Sequence, residues 1–221
     1  GNVVYEANGQ PKKLVLFYNN EEGKSYYEFK GGDAIYEDIN HDGTINQLDI
    51  VYLGNSNPAA QGGFGLTFRY KKWSLRTSFT YRWDVDVVNS SRMAFENMSS
   101  FDNQSVAVNW RWRKEGDITE IPRAVNGSSS AYNYLGSDRY VEDASYVRLS
   151  YLQLSYAFEP AWLKKVGLKS LNLYASADNV AFWTKYTGLE PEVANGGEGI
   201  AYDNTKTPRP RSYTISLSLG F

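Results

Sequence analysis

The sequence predicts an all-β protein of antiparallel transmembrane β-barrel strands joined by long loops, and three observations predict it. First, Phe, Tyr and Trp make up 15% of the 221 residues, with 18 Tyr, 10 Phe and 6 Trp. Mean hydropathy is nevertheless only −0.52. That combination suits strands with one apolar and one polar face, such as those of barrels girdled by aromatics. Second, several stretches alternate apolar and polar residues over about ten positions, the length of a tilted strand crossing a bilayer. Third, the connections between these stretches are alternately long and short, as in outer-membrane barrels. Sugar-binding β-sandwiches share the first two properties, and composition alone does not separate the two folds.

The totals exclude several classes. Length allows one or two domains. The chain starts at Gly1 without a signal peptide or a long apolar run, so a mature or cut product is expected. Net charge is −2 and the isoelectric point is 5.6, which steers nothing toward nucleic acid. The absence of cysteine removes disulfides and thiolate chemistry.

In chain order, Lys13–Phe17 and Tyr26–Phe29 read as short strands around a turn at 19–23. The run Asp38-Ile39-Asn40-His41-Asp42-Gly43-Thr44-Ile45-Asn46-Gln47-Leu48-Asp49 follows. It has oxygen side chains at loop positions 1, 3, 5 and 12 and glycine at position 6. Calcium takes six to eight oxygens, and this spacing wraps them around one point. The predicted ligands are Asp38, Asn40, Asp42, Thr44 through its carbonyl, and Asp49. Asn46 is placed to hold a bridging water, and Ile45 to tuck beneath the metal. Asp49 stands where such loops carry Glu, and an Asx-rich surface turn is the plain alternative. Leu48, Val51 and Tyr52 recur at helical spacing, with Gly54 placed to end that turn.

From Gly63 the period becomes 2. Phe64, Leu66, Phe68 and Tyr70 share one face; after Lys71-Lys72, Trp73, Leu75, Thr77, Phe79, Tyr81 and Trp83 share another. The opposite faces carry Arg69, Arg76 and Arg82 among Ser, Thr and Gly, as a solvated lumen would. Residues 84–144 are irregular, with a helix predicted within 91–112 from Met93, Phe95, Met98 and Phe101. Strands return at Tyr146–Phe158, from Leu171 to Asp178, and at Ser212–Phe221, where Tyr213, Ile215, Leu217 and Leu219 alternate with Ser and Thr. Counting back from Phe221, the links run 186–210 (long), 159–168 (short), 84–144 (long) and 71–72 (short). If Phe221 lies at the periplasmic end, every long link is extracellular, and so is the segment before Gly63. Residues 1–62 are therefore expected to form an extracellular loop region containing the calcium-like loop. Residues 63–221 are expected to form barrel strands and their loops.

Several ordered motifs resemble the C-terminal part of SusC-like (SusC/RagA family) TonB-dependent transporters. These are Gly32-Asp33 with Asp38–Ile45; Leu53-Gly54-Asn55-Ser56-Asn57-Pro58 before Gly63-Phe64-Gly65-Leu66; Val141-Glu142-Asp143-Ala144-Ser145-Tyr146-Val147-Arg148-Leu149; Asp178–Gly188; and Pro208–Thr214. The resemblance implies a large Gram-negative outer-membrane β-barrel that imports nutrients such as oligosaccharides or peptides. It also implies a SusD-like surface lipoprotein over the barrel and coupling to TonB through an N-terminal part. No plug domain is recognisable in this chain. About five strands cannot close a barrel, so the remaining strands are expected on another chain or segment. The alternative is a soluble calcium-stabilised carbohydrate-binding β-sandwich.

No enzyme constellation stands out. His41 is the single histidine and sits at a non-ligand position of the loop. Glu190 and Glu192 are expected in a solvated loop. Trp110, Trp112 and Trp183 are expected to anchor or pack rather than stack on sugars, and Arg111, Arg113 and Lys114 to form loop ion pairs.

Overall fold

A computed structural model describes residue 7 and residues 15–19, 25–127, 132–192, 199–205 and 207–221. The turn predicted at 19–23 lies almost wholly outside them, as do Lys13 and Leu14. The chain divides into two compact units. One holds residues 1–53 and 91–140, the other 54–90 and 141–221.

In the first unit, β1 (Val15–Asn19) pairs antiparallel with β2 (Ser25–Glu28) and parallel with β3 (Thr44–Ile45). A single 3-10 turn, Gln47–Asp49, follows. Helical geometry does not continue to Gly54, because Ile50 is already extended at φ −77°, ψ 120°. The helix foreseen within 91–112 exists as α1 (Ser90–Glu96), with a further 3-10 turn at Val106–Trp110. Its core is Met98, Val108, Ile121, Tyr134 and Tyr140, against which Met93 and Ala107 pack.

The second unit is organised by one antiparallel five-stranded sheet. Its strands are β4 (Ala60–Tyr70), β5 (Trp73–Trp83), β8 (Tyr146–Ala157), β9 (Ser170–Thr184) and β10 (Ser212–Gly220). The order across the sheet is β10-β9-β8-β5-β4. Between β5 and β8 lies a small ladder of β6 (Asp86–Val88) with β7 (Val141–Asp143). Helix α2 (Pro160–Lys164) connects β8 to β9.

Register decides the faces, because directly opposed residues lie on the same side of a sheet. β4 and β5 match without slip from Ala60 opposite Trp83 to Tyr70 opposite Trp73. Lys71, at φ 51°, supplies the positive φ that a two-residue hairpin needs at its first central position. Phe64 and Phe79 stack with centroids 4.9 Å apart. A Cβ on Gly63 would lie 2.9 Å from the Phe79 carbonyl oxygen, which explains glycine there. Between β8 and the neighbouring strands the register slips once. Ser150 on one side, and Asn179 and Val180 on the other, have no direct partner.

This bulge has a consequence that simple alternation misses. It returns Leu149 and Val147 to the face of Leu152 and Leu154, opposite Phe79 and Tyr81, and turns Arg148 to the polar face opposite Thr80 and Phe182. Asn179 absorbs the distortion at φ 51°. The strand therefore runs on to Thr184, six residues past the predicted Asp178.

The result is a sheet with two unlike faces. One carries Phe64, Phe68, Leu154, Leu173, Ile215 and Leu217, all exposed. The other carries Ser, Thr, Gln and Arg. All long connections leave from the end marked by Ala60, Trp83, Tyr146, Thr184 and Ser212, and the short ones close the opposite end. No helix among the described residues is long and apolar enough to cross a membrane; the strands have the length to do so.

Candidate functional site

The loop at 38–49 is built by its own side chains accepting from its own backbone. Asp38 Oδ1 accepts the Asp42 N–H at 3.1 Å, and Oδ2 accepts the Gly43 N–H at 2.7 Å. Asn40 Oδ1 accepts the Asp42 N–H at 2.9 Å, and Asp42 Oδ1 accepts the Thr44 N–H at 2.8 Å. Gly43 turns the chain at φ 86°, where a side chain would be strained, and His41 precedes it at φ 59°. Ile45 is buried, as its loop position predicts, and pairs with Leu16 of β1.

Asp49 ties the two ends of the loop together. Its Oδ1 accepts from Ile39 N–H at 2.9 Å, and its Oδ2 from Asn46 N–H at 2.8 Å. Asn46 returns the favour to the 3-10 turn by accepting the Leu48 N–H at 2.7 Å, a capping box in which Asp49 is the third member. The predicted residues Asp38, Asn40, Asp42, Thr44 and Asp49 are thus brought into one hydrogen-bonded loop. Their donor set is all oxygen, which suits a hard cation. Among the described residues, no three His, Cys, Asp or Glu side chains are grouped as a metal cluster would be.

The same unit contains a cleft of about 970 Å³ lined by Ile35, Ile39, Ile50 and Leu53 among others. Its floor is braced by Asp33, whose side chain is fully buried. Asp33 accepts from Arg123 Nε at 2.6 Å, Tyr27 Oη at 2.7 Å and Lys30 N–H at 2.8 Å. Burial opposes the Asp33 charge, but the Arg123 guanidinium and the two further donors outweigh it and hold the carboxyl below the ordinary value. Burial likewise raises Tyr134 to about 12. Trp112 lies against Gly32, which has φ 82° and no room for a Cβ beside the indole. Trp112 is thus a packing residue, as expected, whereas Trp110 and Trp183 are exposed. Among the described residues, Arg111 and Arg113 make hydrogen bonds to carbonyls in place of the expected ion pairs. Arg111 Nη1 donates to Val108 O at 3.1 Å and Arg113 Nη2 to Asn109 O at 2.9 Å.

In the second unit, the long-loop end of the sheet is locked by a network that sequence reasoning missed. Arg148 and Glu190 form an ion pair in which both side chains are nearly inaccessible. Glu190 is therefore buried, not solvated as expected. Pro191 beside it is buried too, which draws the loop down onto the strands. The Arg148 guanidinium lies over the rings of Tyr146 at 5.5 Å and Phe182 at 5.2 Å. It also donates to Asn179 Oδ1, and Asn179 Nδ2 donates to the Arg209 carbonyl at 2.7 Å. Glu192 pairs with Arg209 at 3.0 Å. The segments around Glu190 and around Arg209 are thereby fastened to one bulge on the polar face. A signal for this existed: an arginine that a strict period of 2 would put on the apolar face with Leu152 and Leu154, and a Glu-Pro-Glu run in the next loop.

A second knot lies beside it. Tyr186 donates to Asp203, and burial with that carboxylate pushes its phenol far up. Glu142 accepts from Thr187 N–H at 3.0 Å and from Asn89 Nδ2 at 3.2 Å. These enclose a small core of Val85, Val87, Ala144, Tyr186 and Ala201.

A two-faced antiparallel sheet with long loops gathered at one end defines a class, the wall of a transmembrane β-barrel. No family model matches the chain. Two TonB-dependent receptors of Formosa agariphila are each 30% identical, over 99% and 86% of this chain. SusC of Bacteroides thetaiotaomicron, also a TonB-dependent receptor, is 27% identical over 86%. The chain spans about a fifth of the length of these curated relatives, 21%, 20% and 18% respectively. In fold it resembles the RagAB peptide transporter, with a TM-score of 0.64 and 24% identity over 76% of this chain and 18% of that one. A closed state of the RagAB importer matches 99% of this chain and 20% of that one, with a TM-score of 0.65 at 20% identity. Over most of its length the chain is thus similar to one part of SusC-like TonB-dependent receptors.

Proposed function

We propose that this chain supplies part of the barrel wall and the outer loops of a nutrient importer in the Gram-negative outer membrane. In this reading the long-loop end is extracellular and the short turns face the periplasm. Residues 1–62 then belong to the outside region, and 63–221 supply the strands with their loops. A SusD-like lipoprotein would cover that end, and TonB would energise transport through parts of the protein beyond these residues. The cargo would be an oligosaccharide or a peptide.

The sheet itself carries the reading. Its apolar face is exposed along β4 and β10, where Phe68 is 60% and Ile215 80% accessible. Its edges leave unpaired backbone groups that only further strands can satisfy in hydrocarbon. A soluble sandwich would need a second sheet over that apolar face. The loop at 38–49 would hold a structural calcium through Asp38, Asn40, Asp42, the Thr44 carbonyl and Asp49, stiffening the outside region and taking no part in chemistry.

Uptake and growth assays in a strain lacking the full-length protein test this. Growth should fail on one oligosaccharide or peptide source and return on complementation, and a TonB-deficient strain should behave like the deletion. Unimpaired growth on every such source, or extraction of the protein without detergent, would overturn it.

A further inference from the structure

We infer that the short-turn end of the sheet is a docking surface for anionic phospholipid headgroups. The inference rests on the reading that the apolar face meets lipid, and adds a partner that the transport function does not specify. The two ends of the sheet differ in charge. The short connections, residues 71–72 and 158–169, contain Lys71, Lys72, Lys164, Lys165 and Lys169 against the single acid Glu159. Lys72 pairs with Glu159. Lys71, Lys164, Lys165 and Lys169 are exposed and make no ion pair among the described residues. At the opposite end the hollow between Trp83 and Trp183 is lined by Asp84, Asp86 and Asp143, with Lys185 as its one cation.

The basic end is also the end with a continuous aromatic run. Trp73 packs on Tyr156 at 4.7 Å, Tyr156 on Phe158 at 5.0 Å, and Phe158 on Trp162 at 6.3 Å. Leu163 is buried and pins α2 to the sheet, which leaves Trp162 and Val166 more than half exposed beside Lys164 and Lys165. Exposed Trp next to lysine at the edge of an apolar band is the chemistry of the headgroup level. The ring sits at the boundary, and the ammonium reaches past it to phosphate. An unneutralised set of lysines there attracts negatively charged lipid over zwitterionic lipid.

The test uses the full-length protein in nanodiscs of phosphatidylethanolamine, with or without phosphatidylglycerol, and reads the thermal midpoint. Phosphatidylglycerol should raise the midpoint of the wild type. Joint replacement Lys164→Gln, Lys165→Gln and Lys169→Gln should remove most of that increment, while Lys→Arg at the same three positions should keep it. An undiminished increment in the glutamine variant, or no increment in the wild type, overturns the inference. So does the same increment produced by inorganic phosphate in phosphatidylethanolamine discs. Failure to insert into either disc would remove the barrel reading, and the inference with it.

Discussion

Arg148 and Glu190 are 42 positions apart in sequence and form a buried ion pair, with 2% and 4% of their side chains accessible. The pair fastens the loop after β9 to the polar face of β8. Removing one partner of a buried pair strands the other charge, which costs about 3–5 kcal/mol, whereas replacing both with apolar groups can be neutral. Glu190→Ala should therefore destabilise the loop end by about that amount, and Arg148→Met with Glu190→Leu should recover most of it. Unfolding midpoints and proteolysis within 185–211 report the difference. Equal losses in the single and double variants would sink the assignment.

Gly32 and Trp112 define a second contact that composition cannot show. Gly32→Ala forces a side chain into φ 82° and into the indole ring. The expected cost is about 2 kcal/mol, from left-handed backbone strain plus displacement of the ring. Tryptophan emission should shift to longer wavelength as Trp112 leaves its packing. An unchanged spectrum and midpoint would contradict this contact.

Asp33 predicts the direction of acid sensitivity in the first unit. Its folded value is lowered, so its contribution is fully present above the unfolded aspartate value of about 4. That contribution is lost as pH falls through the folded value. Hydrogen exchange of residues 27–36 and 121–135 should accelerate in that acid range, and Asp33→Asn should remove the step. A variant that keeps the same acid step would show that another group is responsible.

The calcium proposal has its own measurement. Calcium at about a hundred times its dissociation constant should stabilise the loop region by roughly 2.7 kcal/mol. Asp42→Ala should abolish that gain and loosen the outer loops while the barrel stays inserted. Isothermal titration of wild type and variant gives the answer, and identical calcium responses would rule the loop out.

Much of the sheet was legible because alternation maps directly onto a two-faced strand. β4, β5 and β10 lie where their apolar residues placed them, and the lengths of the links predicted which ends they share. Legibility stopped at the bulge. Ser150, Asn179 and Val180 shift the phase, so neither the last six residues of β9 nor the turn of Arg148 to the polar face follows from a period of 2. In the metal-like loop the twelve positions were readable from local spacing. The role of Asp49 was only half readable: its capping box with Asn46 is local, but Ile39, ten positions back, is reached only once the loop closes.

The sequence by itself determined the class of fold, the strand faces, the glycine turn at Gly43 and the parity of the connections. These depend on periodicity and on residues close together in the chain. Only the tertiary structure decided the buried partners: Arg148 with Glu190, Asp33 with Arg123, Tyr186 with Asp203 and Trp112 against Gly32. A buried charge or hydroxyl needs a partner of opposite character, but that requirement names only the type of partner. Which of several acids or bases answers it is set by where distant loops come to rest on the sheet and its neighbours.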